Sequence, residues 1–524
     1  MFRFCIKYIS KYKNKVIVYL LLSIITTLIT VSTPLFWGRI IDIITTSSDV
    51  RNLINLGLIV SILCLIKVLV SYFNNKLYII IQTNTAMDMS SDLIYHLHKI
   101  SLNNLQKYDP GYLNESINHD SNSIIIFFLS ILTGVLSNGL LLIFSLGMLF
   151  IISYKIAILL LLFIILYIIV YILFKQKLID RSRIFKEAQS NFFADLLEQF
   201  KNVKFIKQHA LEKFYNEKLN KAFEVFFKQA LKAQQFFFLY SSIDQILEII
   251  VNFCIYVLGG IFVIQGDITI GAFTILLNYY RNMLSSLTYF VDLGKEYQNN
   301  KVSFIRLTTF WDIKEQSNGN IELKNIERIS CENLSFKREE KIIINSFNYV
   351  FERGKIYCIK GENGVGKTTL IDLIMGLYID EFSGKIQYNG IDIQNIDMRK
   401  LRYLKISMLE QNPYVLKGTV ESNIHLTNHH RSNKVYHKII TKELGNIKEN
   451  GDGVSGGERQ KMGIMRMLAK DADVIFLDEP TSSLDQESKI CLYNLLNEVK
   501  KDKIILIVSH DNEITNYVDY TINL

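Results

Sequence analysis

Proline and tryptophan are scarce, at four and two residues in 524. So few prolines exclude a proline-rich stalk. Six cysteines (Cys5, Cys64, Cys254, Cys331, Cys358, Cys491) lie scattered, with no Cys-x-x-Cys pair. That spacing excludes a disulfide framework and a zinc site. Charge is sparse too: 21% of residues are charged and 49% hydrophobic, with a mean hydropathy of +0.20. A soluble enzyme has no use for so much apolar surface, and the length exceeds one ordinary domain.

The net charge of +8 is not laid out as a nucleic-acid footprint. Arg3, Lys7, Lys11, Lys13 and Lys15 precede the first apolar run with no acid among residues 1–15, the pattern of a positive-inside anchor. The run is too long for a signal peptide and shows no small-residue cleavage site, so the first span is expected to be retained.

Six apolar segments follow, near residues 16–44, 53–84, 122–151, 156–175, 236–265 and 271–300. Each reaches the length of about 20 residues that crosses about 30 Å of hydrocarbon, and the longer ones should continue beyond it. Short turns alternate with two long polar loops, 85–121 and 176–235; Lys175 borders the second, which holds Lys177, Arg181, Arg183, Lys186, Lys201, Lys204 and Lys207. The positive-inside rule puts these loops and both termini in the cytoplasm of a multi-pass protein of the cell membrane. Beyond about residue 320 short β-rich runs alternate with helical ones, the pattern of an α/β domain. The expected organisation is a helical membrane domain over 1–312, a linker over 313–326 and an α/β domain over 327–524.

In that second domain Gly361, Glu362, Asn363, Gly364, Val365, Gly366, Lys367, Thr368 and Thr369 spell a P-loop between an apolar run and a helical one. The glycines let backbone N–H groups curl around phosphate, and the helix start adds a positive dipole end. Lys367 is expected to reach the β- and γ-phosphates of ATP, and Thr368 to hold Mg²⁺. Gln411 ends a strand-like run, where its amide is placed for Mg²⁺ or the attacking water. Ser455, Gly456, Gly457 and Glu458 open a second helix, a further phosphate-facing start. The strand ending Asp478-Glu479 supplies a Mg²⁺ carboxylate in Asp478 and a base for water in Glu479. Asp485 and His510 complete the ordered set, His510 being placed to sense the γ-phosphate.

This set, behind six apolar segments, resembles the ATP-binding cassette transporters, and its order resembles an exporter-type half-transporter. Weaker matches in the membrane half are Pro34, Gly38 and Asp42, then Gly111 and Asn118-His119-Asp120, then Glu198 with residues 207–212, and the run from Gly266 to Gly271. The resemblance implies a six-helix all-α membrane domain fused to a P-loop NTPase, with short coupling helices near 106–114 and 207–217 that rest on the cassettes. It also implies a transport-coupled ATPase, working as a homodimer or heterodimer. Each ATP would lie between Gly361–Thr369 of one chain and Ser455–Glu458 of the other, so that binding closes the pair and hydrolysis releases it.

Three features depart from the family pattern. Arg338 stands where an aromatic residue usually stacks on adenine; a guanidinium plane can stack there too. Glu458 replaces a glutamine. The segment between Gln411 and Ser455 and the tail after His510 are short, so a trimmed helical subdomain without the usual C-terminal helices is expected. Glu449 falls at the position that contacts coupling helices.

For cargo, the clue is charge within the spans. Counted from Gly271, Arg281 lies roughly 15 Å deep, where it is expected to line a translocation cavity with Tyr279 and Tyr280, or to be paired within the bundle. Lys67 falls at a similar depth. Asp244 and Glu248 fall roughly 33 and 27 Å from Gly266, at the inner interface, where a solvated or salt-bridged role is expected. The function expected is ATP-driven export of an amphipathic substrate, a peptide ahead of a lipid or drug; an importer on the exporter fold and an ATP-gated channel or regulator are the alternatives. No cysteine-protease domain precedes the first span, so any leader would be cleaved by another protein.

Overall fold

The computed structural model describes residues 1–47, 49–339, 341–426, 454–511 and 513–524. Two compact units form, one of Met1–Asp92 with Asn114–Thr309, the other of Leu93–Leu113 with Phe310–Leu524. The position of Glu449 lies outside the described residues, as does most of the segment expected to be a trimmed subdomain.

The first unit is helical. In chain order its elements are α1 (Phe2–Ile9), α2 (Lys13–Asp42) and α3 (Val50–Leu97), whose last residues enter the second unit. Two short helices follow, α4 (Leu102–Leu105) and α5 (Pro110–Glu115). Then come α6 (Ser121–Ile152), α7 (Tyr154–Lys201), α8 (Val203–Gln208), α9 (Glu212–Ile264) and α10 (Ile270–Trp311). Among the described residues five helical stretches, those carrying α2, α3, α6, α7 and α9, are long and apolar enough to cross a membrane. The sixth expected span is the continuous 42-residue helix α10, in which Asn278, Arg281 and Asn282 dilute the apolar residues. At 48 residues, α3 and α7 are each about 72 Å long, more than twice the hydrocarbon thickness.

The family-like residues of this unit interlock. Asp42, at the end of α2, accepts hydrogen bonds from Thr269 Oγ1 (2.9 Å) and Gly271 N (2.8 Å). Here α2 and α10 cross so closely that a Cβ on Gly38 or Gly271 would overlap the other's carbonyl. Farther along α10, Tyr279 donates to the Val31 carbonyl at 2.8 Å and Tyr289 to the Ser130 carbonyl at 3.0 Å. Asp120, buried before α6, pairs with Arg306 of α10 at 2.7 Å. Glu198 pairs with Lys218 at 2.9 Å. The short helices expected near 106–114 and 207–217 are α5 and α8. The second falls earlier because Ala210 turns left-handed, with φ of 52°, and α9 begins at Glu212.

The second unit is α/β. β1 (Arg328–Arg338), β2 (Lys341–Glu352), β4 (Phe382–Tyr388) and β5 (Ile391–Asp392) form an antiparallel sheet in the order β2-β1-β4-β5. The turn from β4 to β5 is Asn389-Gly390, both at positive φ, as a tight hairpin of right-twisted strands requires. β3 (Lys355–Lys360), β6 (Ile406–Leu409), β7 (Val474–Asp478), β8 (Ile504–Val508) and β9 (Tyr520–Asn523) form a parallel sheet in the order β6-β7-β8-β3-β9. Every residue of β7 and β8 is buried, which is why their sequences are continuous apolar runs rather than alternating ones.

Residues 93–113 and the expected linker belong to this unit. Gln316 N donates to the Lys99 carbonyl at 2.9 Å, His96 stacks on Trp311 at 5.0 Å, and its Nδ1 meets Glu315 at 3.1 Å. Ser317 N is held by Asp380 at 2.8 Å. The linker is thus an extended strap fixed to the cassette rather than a loose spacer.

Candidate nucleotide site

In an open parallel sheet, loops leaving the carboxyl ends of the strands gather on one edge. The order β6-β7-β8-β3 therefore lines up four loops that are far apart in sequence. Gln411 follows β6, Glu479 follows β7, His510 follows β8, and the P-loop follows β3. Asp478 and Ile359 both lie level with Val508.

The P-loop residues Gly361–Gly366 connect β3 to α11 (Lys367–Ile374), and the short helices α12 (Met398–Leu404) and α13 (Val420–Ile424) follow farther along the chain. Gly366 caps α11 with φ of 111°, a conformation that a side chain would strain. Lys367 is buried, and its ammonium is held by the carbonyls of Gly361 and Glu362 (both 2.9 Å) and by His510 Nε2 (3.0 Å). In that contact the Lys367 ammonium is the donor and His510 Nε2 the acceptor. Thr368 Oγ1 donates to Asp478 Oδ2 at 2.8 Å. Gln411 Nε2 donates to Glu479 Oε2 at 2.9 Å, and His510 Nε2 lies 3.9 Å from Glu479 Oε1. One connected network thus joins Lys367, His510, Glu479 and Gln411.

Glu479 has a left-handed backbone, φ 45°. For a residue with a Cβ that costs about 1 to 3 kcal/mol, a strain that persists where the surroundings demand it. Its N–H is fixed by the Val508 carbonyl at 2.9 Å, so the strand pair dictates where the carboxylate points.

Burial raises the Asp478 carboxyl above its ordinary range; the hydrogen bond from Thr368 opposes this and the charge of Glu479 adds to it. A second carboxyl, Asp372 on α11, is pushed to about 6 by burial and by Asp478 and Glu410. Oxygen donors from Thr368, Asp478 and the Gln411 amide, in a region of excess negative charge, suit a hard divalent cation such as Mg²⁺.

Ser455 caps α14 (Gly456–Ala469), its Oγ accepting from Glu458 N at 3.3 Å while Glu458 Oε2 accepts from Ser455 N at 2.8 Å. Glu458 therefore fills the position of the usual glutamine by closing a capping box, which the Ser-x-x-Glu spacing before a helix signals. The same helix is tied to the chain beyond Glu479: Gln460 donates to the Pro480 carbonyl at 3.1 Å and Lys461 meets Asp485 at 3.4 Å. Asp485 caps α15 (Gln486–Val499), and the N–H of Ser488 holds its carboxyl down at about 2.

Arg338 closes β1 and donates through Nη2 to Gln106 Oε1. Gln106 is thus a partner of Arg338 that sequence reading missed. Nothing in the local sequence signals it, since the two residues are 232 apart.

The expected charges of the spans are distributed as follows. Arg281 is exposed on α10 and Lys67 half-buried on α3. Tyr280 lines a cavity between α7, α9 and α10, whereas Tyr279 lines a separate apolar hollow of about 400 Å³ between α2, α6 and α10. Arg281 lines neither. Asp244 and Glu248 line the first cavity, the former half-buried and the latter exposed, and they form no ion pair among the described residues, so of the two roles expected from depth the salt-bridged one is not found and the exposure of Glu248 fits the solvated one.

Comparison with known proteins agrees with this geometry. The ABC transporter transmembrane region family matches residues 16–287, more than half of the chain, and the ABC transporter family matches residues 344–482. The ATP-dependent lipid A-core flippase of Syntrophus aciditrophicus (strain SB) is 26% identical over 460 residues, covering 84% of this chain and 76% of that protein. That of Vibrio vulnificus (strain YJ016) is 27% identical over 291 residues, 52% of this chain and 50% of the relative, so the chain spans about half the length of that flippase. A solved bacterial Atm1-family ABC exporter with ATP bound has the same fold, with a TM-score of 0.80 at 16% identity over 98% of this chain and 93% of that one. With its helical membrane unit, its cassette unit and its ATP-type phosphate loop, the chain belongs to the ABC transporter family.

Proposed function

We propose that this protein is an ATP-driven exporter of an amphipathic, lipid-like substrate, working as a dimer of two such chains in the cell membrane with both termini in the cytoplasm. The observation that carries the reading is the row of strand ends that joins Lys367, His510, Glu479 and Gln411 beside Thr368 and Asp478. The named activity of the flippase relatives favours a lipid over the peptide expected from sequence.

In this reading Lys367 turns from its carbonyls to the β- and γ-phosphates, and the Gly361–Gly366 amides and the start of α11 hold the rest of the anion. Thr368, Asp478 and Gln411 would hold Mg²⁺, which supplies charge neutralisation on the phosphate oxygens. Glu479, held by Gln411, takes a proton from water as that oxygen attacks the γ-phosphorus and the bond to the ADP oxygen breaks. His510, beside Lys367, faces the same phosphoryl group. Ser455 keeps its hydroxyl proton free to donate, because in the capping box its Oγ is an acceptor. Since these residues sit on α14, bound through Gln460 and Lys461 to the loop after Glu479, a partner's phosphate at Ser455 would bear on the chain's own catalytic loop.

The test is reconstitution in inverted vesicles with a fluorescent lipid and ATP. ATP-dependent movement of the lipid is expected. Glu479→Gln should reduce phosphate release at least a hundredfold while retaining bound ATP. Near-normal hydrolysis in that variant would overturn the base assignment, and ion conductance without lipid movement would overturn export.

A further inference from the structure

The cavity between α7, α9 and α10 contains polar groups that the nucleotide cycle does not use. Its walls are mostly apolar, with Phe163 and Met283 among them, and they carry Tyr167, Tyr280, Asp244 and Glu248. Asp244 and Glu248 are one turn apart on α9, so their charges face the same side and repel. Neither forms an ion pair among the described residues, and Arg281, next to Tyr280 in sequence, pairs with neither. Asp244 is half-buried and Glu248 exposed, so both charges are open to a cation that enters the cavity.

The tyrosines supply an independent sign. Tyr280 is only 4% exposed, lines the cavity, and has no hydrogen-bond partner for its hydroxyl among the described residues. It lies within electrostatic reach of both Asp244 and Glu248. Tyr167, on the facing helix, is engaged with Thr288 and Tyr240, which leaves its ring as a wall of the cavity. A buried unpartnered phenol, aromatic faces and two carboxylates around one space make a receptor for an organic cation: the carboxylates meet its charge, the rings its polarisable surface. The cavity takes about 30 Å³, room for a head group and not for a whole amphiphile.

We propose that this cavity is a head-group site for an ammonium-type cation borne on an apolar body. As a substrate site it rests on the export reading above; as a binding site it does not. It selects against amphiphiles with anionic heads. The cation could come from an amine-bearing lipid or from a compact lipophilic compound, and the chemistry of recognition is shared.

Equilibrium binding to the full chain in phosphatidylcholine nanodiscs tests this. The probes are octylammonium as the lipid-like cation, cyclohexylammonium as the compact one, and octanol and octyl sulfate as neutral and anionic counterparts. At least one cation should bind about tenfold tighter than octanol, and octyl sulfate more weakly than either. A tighter octylammonium identifies the lipid-like source, a tighter cyclohexylammonium the compact one. Asp244→Asn/Glu248→Gln should abolish the preference. Tyr280→Phe, which removes only a hydroxyl, should weaken it about threefold, and it stands as the test if the double variant does not fold. Equal affinity for octylammonium, cyclohexylammonium and octanol, or a preference unchanged in these variants, would overturn the site. ATP-dependent lipid movement without cation preference would leave export standing, whereas cation preference without any movement would leave only the site.

Discussion

The nucleotide site and the membrane cavity treat charge in opposite ways. In the cassette each side chain proposed for catalysis or phosphate binding is held by another group: Lys367 by two carbonyls and His510, Glu479 by Gln411, Asp478 by Thr368, and Asp485 by Ser488. In the membrane unit Asp244, Glu248 and Tyr280 have no such partner among the described residues. The same unit does pair a carboxylate where structure requires it, at Asp120 and Arg306. The difference teaches how to tell two kinds of polar group apart. Pre-organised groups exchange one partner for another when a ligand arrives, and unpartnered ones wait for a ligand to supply the partner.

The largest expected effect separates the two kinds of acid within the membrane unit. Arg306→Leu leaves buried Asp120 with only the exposed His119 ring near it, at 3.8 Å, which should cost about 3 kcal/mol, and adding Asp120→Leu should recover most of it. Asp244→Asn/Glu248→Gln removes charges that nothing pairs and should shift stability by less than about 1 kcal/mol. Thermal unfolding of the solubilised variants makes the comparison; equal losses at both places would erase the distinction.

Next in size is Asp372, the acid that the cassette leaves crowded by Asp478 and Glu410. Its folded value, about 6, lies above the ordinary 3.8. A raised acid stabilises the fold relative to its ionised form below about pH 4, and that advantage is lost as pH rises through about 6, a swing of about 3 kcal/mol. Asp372→Asn should therefore gain about that much at pH 8 and nothing at about pH 4. Pulse proteolysis across a urea series at both pH values reads the difference, and a gain independent of pH would mean that burial is not its source.

The smallest effect tests whether Glu458 is part of the pre-organised set. Glu458→Ala opens the capping box and should loosen the first turn of α14 by about 1 kcal/mol, while Glu458→Gln should keep it. Hydrogen exchange at the start of α14 distinguishes them, and identical protection in the two variants would assign Glu458 no capping role.

Much of the site was legible in sequence because its parts are local. A P-loop declares itself by glycines at fixed offsets, a parallel strand by an unbroken apolar run, and a hairpin by Asn389-Gly390. Whether Asp244 and Glu248 were solvated, paired or unpaired was not legible, since depth along a helix says nothing about which face meets a cavity. Nor was the boundary between units, where residues 93–113 join the cassette through Lys99, His96 and Gln106.

By itself the sequence determined the class of the protein, the order of its apolar spans and the phosphate-loop motif. Covalent spacing and hydrophobic period act over a few residues, and they need no fold to be read. Only the tertiary structure decided what meets what. Strand order set Gln411, Glu479, His510 and Lys367 in one row, the strand pair forced Glu479 into a left-handed backbone, and helix packing closed Tyr280, Asp244 and Glu248 around one space. Those outcomes depend on contacts between residues tens to hundreds of positions apart, which no local pattern encodes.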